Sequence, residues 1–240
     1  MSGHSKWNNI KHKKEKSDAA KAKIFTKIGK EMAVAIKAGG PDPSNNNKLR
    51  DLIAKAKANN VPNDNIQRTI KKFTDNSDIN YEEIVYEGYG PSGVAIIVET
   101  STDNRNRTAG NVRAWFNKYG GNMGQSGCVS YLFEAKGVIS ILDEDGEIDE
   151  DKIMEDALEC GAEDIKCEEG EFTIYTATDD LDSVRDAIIA LGYKIDTADV
   201  AKVPSTYVEL SDDDAENMQK MLDKFNEDDD VNAVYHNWDN

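Results

Sequence analysis

Lysine is concentrated in the first 30 residues of the chain, and this residue type sets the chemistry that the segment can perform. Ammonium groups attract phosphate oxygens and donate hydrogen bonds to them, and an indole ring can stack on an exposed base. A segment of this kind fits a polymer with repeating phosphates. The candidate contacts in this basic arm are Lys6, Trp7, Lys11, His12, Lys13, Lys14 and Lys16.

The first predicted helix presents lysines along one side. The chain from 17 to 38 has no proline and is followed by Gly39-Gly40-Pro41, which predicts one long helix that stops there. Apolar residues recur every three or four positions and form an inward stripe, namely Phe25, Ile28, Met32 and Ile36. A purely structural outer side would more often mix glutamate with lysine. We therefore take Lys23, Lys27 and Lys30 on the opposite side as candidate phosphate contacts.

Two further helices are predicted, over 46–59 and from Pro62 onward. The second of these carries Arg68, Lys71 and Lys72 on its outer surface, at spacings that bring them together on one side. The short break before Pro62 is compatible with a helix-turn-helix. Three-helix bundles that contact no nucleic acid share the same pattern, so both interpretations remain open.

The charge of the chain changes sign near residue 75. Residues 1–75 contain 17 Lys and Arg and 7 Asp and Glu, a net charge of +10, whereas residues 76–240 have a net charge of −27. This asymmetry indicates a basic module that meets a polyanion, attached to an acidic body. The alternative is that the lysines only coat ordinary helix surfaces.

The remainder of the chain has the pattern of an α+β protein. Residues 136–202 predict the order β-α-β-β-α-β of a ferredoxin-like domain. The segments before and after it, 80–135 and 203–240, each predict a β-α-β piece that cannot bury its apolar face alone. The fold class expected is therefore α+β and multidomain: a three-helix domain over 1–79, then two ferredoxin-like α+β domains, of which the second (136–202) is inserted in the first (80–135 plus 203–240).

A second candidate phosphate site lies where a predicted strand meets a helix near Thr102. Arg105 and Arg107 follow directly, and the guanidinium group offers paired donors that match phosphate oxygens. The alternative is a capped helix whose arginines pair with neighbouring carboxylates. The sequence favours neither.

Several function classes find no support in the residue patterns. No His and Cys spacing fits a zinc site, no Gly-rich loop fits a nucleotide motif, and no base is evident beside Cys128, so we expect no catalytic residue, metal, cofactor or small-molecule substrate. No apolar run reaches the length of a membrane span. Three cysteines without a C-x-x-C pair and the absence of a targeting pattern favour a cytoplasmic protein.

Longer motifs distributed along the whole chain resemble those of the YebC/PmpR family. They are Gly3-His4-Ser5-Lys6-Trp7, Phe25-Thr26-Lys27, Asn59-Asn60-Val61-Pro62, Tyr86-Glu87-Gly88-Tyr89-Gly90-Pro91 and Thr102-Asp103-Asn104-Arg105-Asn106-Arg107-Thr108. The family includes bacterial transcriptional regulators and the mitochondrial translational activator of cytochrome c oxidase. The resemblance implies a helical domain followed by two α+β domains and a role in nucleic-acid-linked control of gene expression.

Two functions are compatible with the basic module. The first is a DNA-binding transcriptional regulator that is not an enzyme and whose helical domain contacts the phosphate backbone. The alternative is a ribosome-associated translation factor in which the same lysines lie along RNA. Phosphate contacts alone do not separate the two, because they position a protein without reading sequence.

Overall fold

The N-terminal part of the chain folds as three helices. The computed structural model describes residues 18–75, 80–143, 146–168 and 170–239. Helix α1 spans Asp18–Gly39, α2 spans Asn47–Ala58 and α3 spans Asn63–Thr74, which confirms the three predicted helices. Their shared core includes Ile28, Met32, Leu49, Leu52 and Ile66.

The turn between α1 and α2 is held by one buried asparagine. The Asn46 side chain accepts a hydrogen bond from the Leu49 backbone N–H at 3.0 Å and donates to the carbonyl oxygens of Ala35 and Gly40 at 2.8 Å. Gly40 has a positive φ of 84°, which a residue without a side chain adopts at no steric cost. These contacts end α1 and begin α2 at the positions that the sequence indicated.

The first sheet is formed by strands from both sides of the inserted segment. Its order is β3 (Asn122–Met123), β1 (Glu82–Tyr89), β2 (Ala95–Thr102) and β9 (Val231–His236), with every neighbouring pair antiparallel. Helix α4 (Arg105–Lys118) and helix α7 (Asp212–Glu227) pack on this sheet and on each other through aromatic rings. Helix α1 contacts β1, β2 and β9.

A close approach of backbone fixes one glycine in this sheet. A Cβ atom at Gly88 would lie 2.6 Å from the carbonyl oxygen of Asn122 and 2.9 Å from the Phe116 ring. Only glycine lets β1, β3 and α4 approach this closely.

The second sheet has the predicted ferredoxin-like order. Its strands are β4 (Phe133–Leu142), β5 (Asp164–Glu168), β6 (Glu171–Thr176) and β7 (Thr197–Pro204), arranged as β5-β6-β4-β7 with antiparallel neighbours. Helices α5 (Glu150–Glu159) and α6 (Leu181–Ala190) bury Ile153 and Ile188 against it. A short parallel pair joins β8 (Val208–Glu209) to β10 (Trp238–Asp239).

The α+β fold class is confirmed, and several predicted strands are corrected. The apolar runs at 129–133 and 138–142 each predict a strand. The structure has the single strand β4 instead, which crosses the boundary expected at 135. The run 206–210 predicts a further strand, and in the structure this strand is limited to β8, which pairs with β10. The first sheet also begins with the hairpin of β1 and β2, so the strand β1 precedes the β-α-β piece predicted for residues 80–135.

A buried carboxylate explains why residues 129–132 are not part of a strand. Glu87 is 5% exposed and accepts hydrogen bonds from the backbone N–H groups of Gly127, Val129 and Ser130 at 2.8–2.9 Å. Burial raises the pKa of Glu87, but these three bonds outweigh that effect and lower it. Backbone donors bound to a carboxylate are not available to a neighbouring strand.

The described chain forms two compact units. One contains residues 18–75, 80–130 and 210–236, and the other contains 131–143, 146–168, 170–209 and 237–239. The three-domain division with boundaries at 79, 135 and 202 stays a prediction. None of the described helices combines the length and apolar composition that crossing a membrane requires.

Candidate nucleic-acid interface

The lysine side of α1 meets an acidic segment from the other end of the chain. We call Lys23, Lys27 and Lys30 the lysine face, and Glu227–Asp230, at the C-terminal end of α7, the acidic segment. Lys23 donates to the Glu227 carbonyl oxygen, and Lys27 donates to that of Asn226 at 3.2 Å. Lys30 donates to the Asp229 carbonyl at 2.8 Å and to the Asp230 carboxylate at 2.7 Å. The lysine face is therefore engaged by the chain itself, and its assignment as a set of phosphate contacts stays a prediction.

The ammonium groups of Lys23, Lys27 and Lys30 lie close together and repel one another. Burial, followed by repulsion from Lys23, lowers the pKa of Lys27 to about 8, although Asp228 and Asp229 act in the opposite direction. The Lys30 side chain is only 12% exposed. In this arrangement the face is partly buried, and each of its three ammonium groups donates to an oxygen atom at the end of α7 or in the acidic segment.

Asp230 is the centre of the contact. Its side chain is 5% exposed and accepts from Lys30, from Arg107 at 2.7 Å and from the Thr108 hydroxyl at 2.8 Å. Burial raises the pKa of Asp230, but the hydrogen bonds from Lys30, Arg107 and Thr108 outweigh it and lower the value to about 2. One carboxylate thus links α1, α4 and the start of β9.

The two arginines of the second candidate site pair with carboxylates of the same unit. Arg105 contacts Glu82 at 3.1 Å, and Arg107 contacts Asp103 at 2.8 Å in addition to Asp230. Hydrogen bonds that Arg107 donates to Asp230 and Asp103 raise the pKa of its guanidinium group. Of the two arrangements left open by the sequence, the capped helix with internal ion pairs is the one present, and Asn104 supplies the cap.

Helix α3 presents three accessible cations. Arg68, Lys71 and Lys72, which we call the α3 ridge, are exposed and lie within about 100° of one another around the helix. Ile66, which is fully buried, lies on the opposite side. Within the described part of the chain, no carboxylate lies within 4.0 Å of the ridge cations.

The basic arm falls outside the described residues. This applies to the candidate contacts Lys6, Trp7, Lys11, His12, Lys13, Lys14 and Lys16. They stay predictions, as do the nucleic-acid contacts assigned to the other basic residues.

Neither metal-binding nor thiol chemistry is indicated by the described side chains. Among residues 18–75, 80–143, 146–168 and 170–239, no group of three or more His, Cys, Asp or Glu could hold a metal ion. Burial, followed by the charge of Glu87, raises the pKa of the Cys128 thiol, which disfavours a nucleophilic thiolate. The absence of catalysis remains a prediction.

A cleft borders the acidic segment. It has a volume of about 760 Å³ and is bounded by Trp115 and by cations of three helices: Lys30, Arg107, Lys118 and Lys224. Sequence reasoning missed both the cleft and the acidic segment. The run Glu227-Asp228-Asp229-Asp230 was the available signal, because four consecutive acids after a helix are a natural partner for a lysine-rich side.

Family models match the chain in two consecutive segments. Residues 5–76 match the TACO1/YebC protein N-terminal domain, and residues 81–238 match the TACO1/YebC second and third domain. The chain belongs to the TACO1/YebC family. The resemblance expected from the sequence motifs is thereby confirmed.

Relatives within the TACO1/YebC family match over nearly the full length. Proteins of Lachnoclostridium phytofermentans and Acetivibrio thermocellus, each named "probable transcriptional regulatory protein", are 55% identical to this chain. The first match covers 100% of both chains and the second covers 99% of both. The crystal structure of a conserved hypothetical protein from Aquifex aeolicus is similar, with a TM-score of 0.80, 42% identity and coverage of 92% of this chain and 91% of that chain.

In this TACO1/YebC chain, the lysine face and the acidic segment lie in different family segments. The lysine face belongs to residues 5–76, whereas the acidic segment belongs to residues 81–238. Their contact therefore joins the N-terminal domain of the family to its sheet-containing part.

Proposed function

We propose that this chain regulates gene expression by binding duplex DNA through its helical N-terminal part. The observation that carries the proposal is the α3 ridge, where Arg68, Lys71 and Lys72 face solvent together. Accessible cations on one side of a helix neutralise consecutive phosphates and release bound counterions, which supplies binding free energy independent of sequence.

The charge distribution supports the same function. The segment that contains the ridge has a net charge of +10, and the remainder of the chain has −27. An acidic body repels nucleic acid, so the polymer is directed to the basic part. In the proposal, the basic arm from Lys6 to Lys16 adds contacts to those of the ridge.

The names of the relatives favour DNA as the target. Both bacterial proteins cited above are called transcriptional regulatory proteins, and both align over almost the whole chain. The proposal assigns no catalytic residue, cofactor or small-molecule substrate, and it places the protein in the cytoplasm.

The test is neutralisation of the ridge in the full chain. We expect Arg68→Gln/Lys71→Gln/Lys72→Gln to weaken binding to a mixed-sequence DNA duplex on the order of tenfold, because three phosphate contacts are lost. The slope of log K against log salt should become shallower by about 3. Fluorescence anisotropy at several salt concentrations measures both quantities.

The matched control is Lys152→Gln/Lys194→Gln/Lys220→Gln. It removes the same charge from exposed positions outside the helical part and should leave the affinity and the slope within about twofold of the parent. Equal effects of the two triple variants would contradict the proposal. Tighter, ridge-dependent binding to structured RNA than to the duplex would instead support the ribosome-associated function.

A further inference from the structure

We propose that the acidic segment Glu227–Asp230 is an internal competitor that occupies the lysine face and must move aside before a nucleic acid can use Lys23 and Lys27. The inference rests on the proposed function. It assigns to these residues an autoinhibitory contact, in which the chain supplies its own substitute for a phosphate backbone.

The geometry of the contact resembles that of a bound polyanion. Three ammonium groups on successive turns of α1 meet oxygen acceptors on four of the five residues from 226 to 230, namely the carbonyls of Asn226, Glu227 and Asp229 and the carboxylate of Asp230. Carbonyls at the end of α7 carry the partial negative charge of the helix C-terminus, to which the acidic side chains add. Phosphates would offer the same chemistry at the same donors.

The two ends of the contact differ in strength. At the inner end, Lys30 and Asp230 are 12% and 5% exposed and 2.7 Å apart. At the outer end, Lys23 and Asp229 are 32% and 66% exposed and 4.0 Å apart. Exposed pairs at such distances contribute little stability, whereas the buried pair is costly to break. The outer end can therefore open while the inner pair holds the fold.

Further cations surround the segment that would move. Lys118 and Lys224 line the cleft beside it, and Lys224 contacts the Glu227 carboxylate at 2.7 Å. A nucleic acid that displaced Glu227 and Asp229 would meet these cations in addition to Lys23 and Lys27. The competitor thus covers a larger basic surface than the lysine face alone.

The experiment neutralises the exposed part of the competitor. In the full chain, Glu227→Gln/Asp229→Asn should increase DNA affinity by about three- to tenfold at about 0.15 M salt, since two exposed carboxylates no longer compete. The matched control, Asp212→Asn/Asp213→Asn, removes the same charge at the opposite end of α7 and should change affinity by less than about twofold. Thermal unfolding of each variant verifies that the fold is retained.

A second substitution shows whether the gain arises at the lysine face. Lys23→Gln should weaken DNA binding by a smaller factor in the parent chain than in the Glu227→Gln/Asp229→Asn background, because in the parent the acidic segment engages this residue. In the Glu227→Gln/Asp229→Asn background the same substitution should remove most of the gain. Lys23→Gln removes one positive charge in either background, so an effect of net charge alone would be the same in both.

The outcomes separate this inference from the proposed function. Equal gains in the test and control pairs, or an equal effect of Lys23→Gln in both backgrounds, would overturn the competitor and leave ridge-dependent binding intact. If the parent binds no DNA but Glu227→Gln/Asp229→Asn binds it, the result would support complete inhibition by the acidic segment. Absence of binding in every variant would overturn both proposals.

Discussion

The lysine face of α1 and the α3 ridge each place three cationic side chains on one side of a helix, yet their surroundings are opposite. Lys30 is 12% exposed and bound to Asp230, whereas Lys72 is exposed with no carboxylate of the described chain within 4.0 Å. Helical spacing alone does not distinguish the two surfaces. The difference shows that a basic side of a helix can hold the fold together in one place and remain available for a ligand in another.

Among the variants that test this comparison, replacement of Asp230 is expected to have the largest effect on stability. Replacement by Asn should lower the free energy of unfolding by about 3 kcal/mol, because Lys30 and Arg107 lose a buried counter-charge. Urea unfolding at pH 7 measures the change. Asp229→Asn, in the same segment but at a side chain that is 66% exposed, is the control and should cost less than about 0.5 kcal/mol.

The pH dependence of unfolding gives an independent test of the same residue. The pKa of Asp230 is about 2 in the folded chain against 3.8 for the unconstrained group. Because the folded value is lower, Asp230 contributes about 2 kcal/mol above pH 3.8, and this contribution is lost as the pH falls towards 2. The stability gap between the parent and Asp230→Asn should narrow over that range. A gap independent of pH would contradict the ionic role.

Replacing one lysine on each of the two cationic surfaces compares their contributions to stability directly. Lys30→Gln should lower the free energy of unfolding by about 2 kcal/mol, since the ammonium group no longer donates to the Asp229 carbonyl and the Asp230 carboxylate. Lys72→Gln should change it by less than about 0.5 kcal/mol. Parallel denaturation curves test the pair, and equal losses in both variants would show that the two surfaces do not differ as the contacts indicate.

The smallest effect concerns an acidic residue of α1. Burial raises the pKa of Glu31, with Lys55 and Lys48 opposing and Glu83 and Glu99 reinforcing the shift. A folded pKa above 4.5 means that the group favours folding at low pH and loses this advantage as the pH rises. We expect Glu31→Gln to be slightly more stable than the parent at pH 7, with the difference disappearing near pH 4. Lower stability of the variant at pH 7 would contradict the sign.

Local signals in the sequence predicted most of the helices and the second sheet. Gly39-Gly40 and Pro62 mark the bounds of α1 and α3, and apolar residues at intervals of three or four mark their buried sides. The β-α-β-β-α-β order of residues 136–202 was likewise readable, because each element carries its own periodicity. The first sheet was harder, since β1 was not recognised and Glu87 binds two backbone donors, those of Val129 and Ser130, of the strand predicted at 129–133.

By itself, the sequence determined the family, the order of the helices, the ferredoxin-like segment and the concentration of positive charge in residues 1–75. These properties depend on neighbours within a few turns or on motifs that are contiguous in the chain. Only the tertiary structure decided which cations are free, because Lys30 and Asp230 are 200 residues apart and meet only when β9 pairs with β2 and α1 contacts both strands. Electrostatic interactions depend on distance and burial, and neither quantity can be read from spacing along a helix.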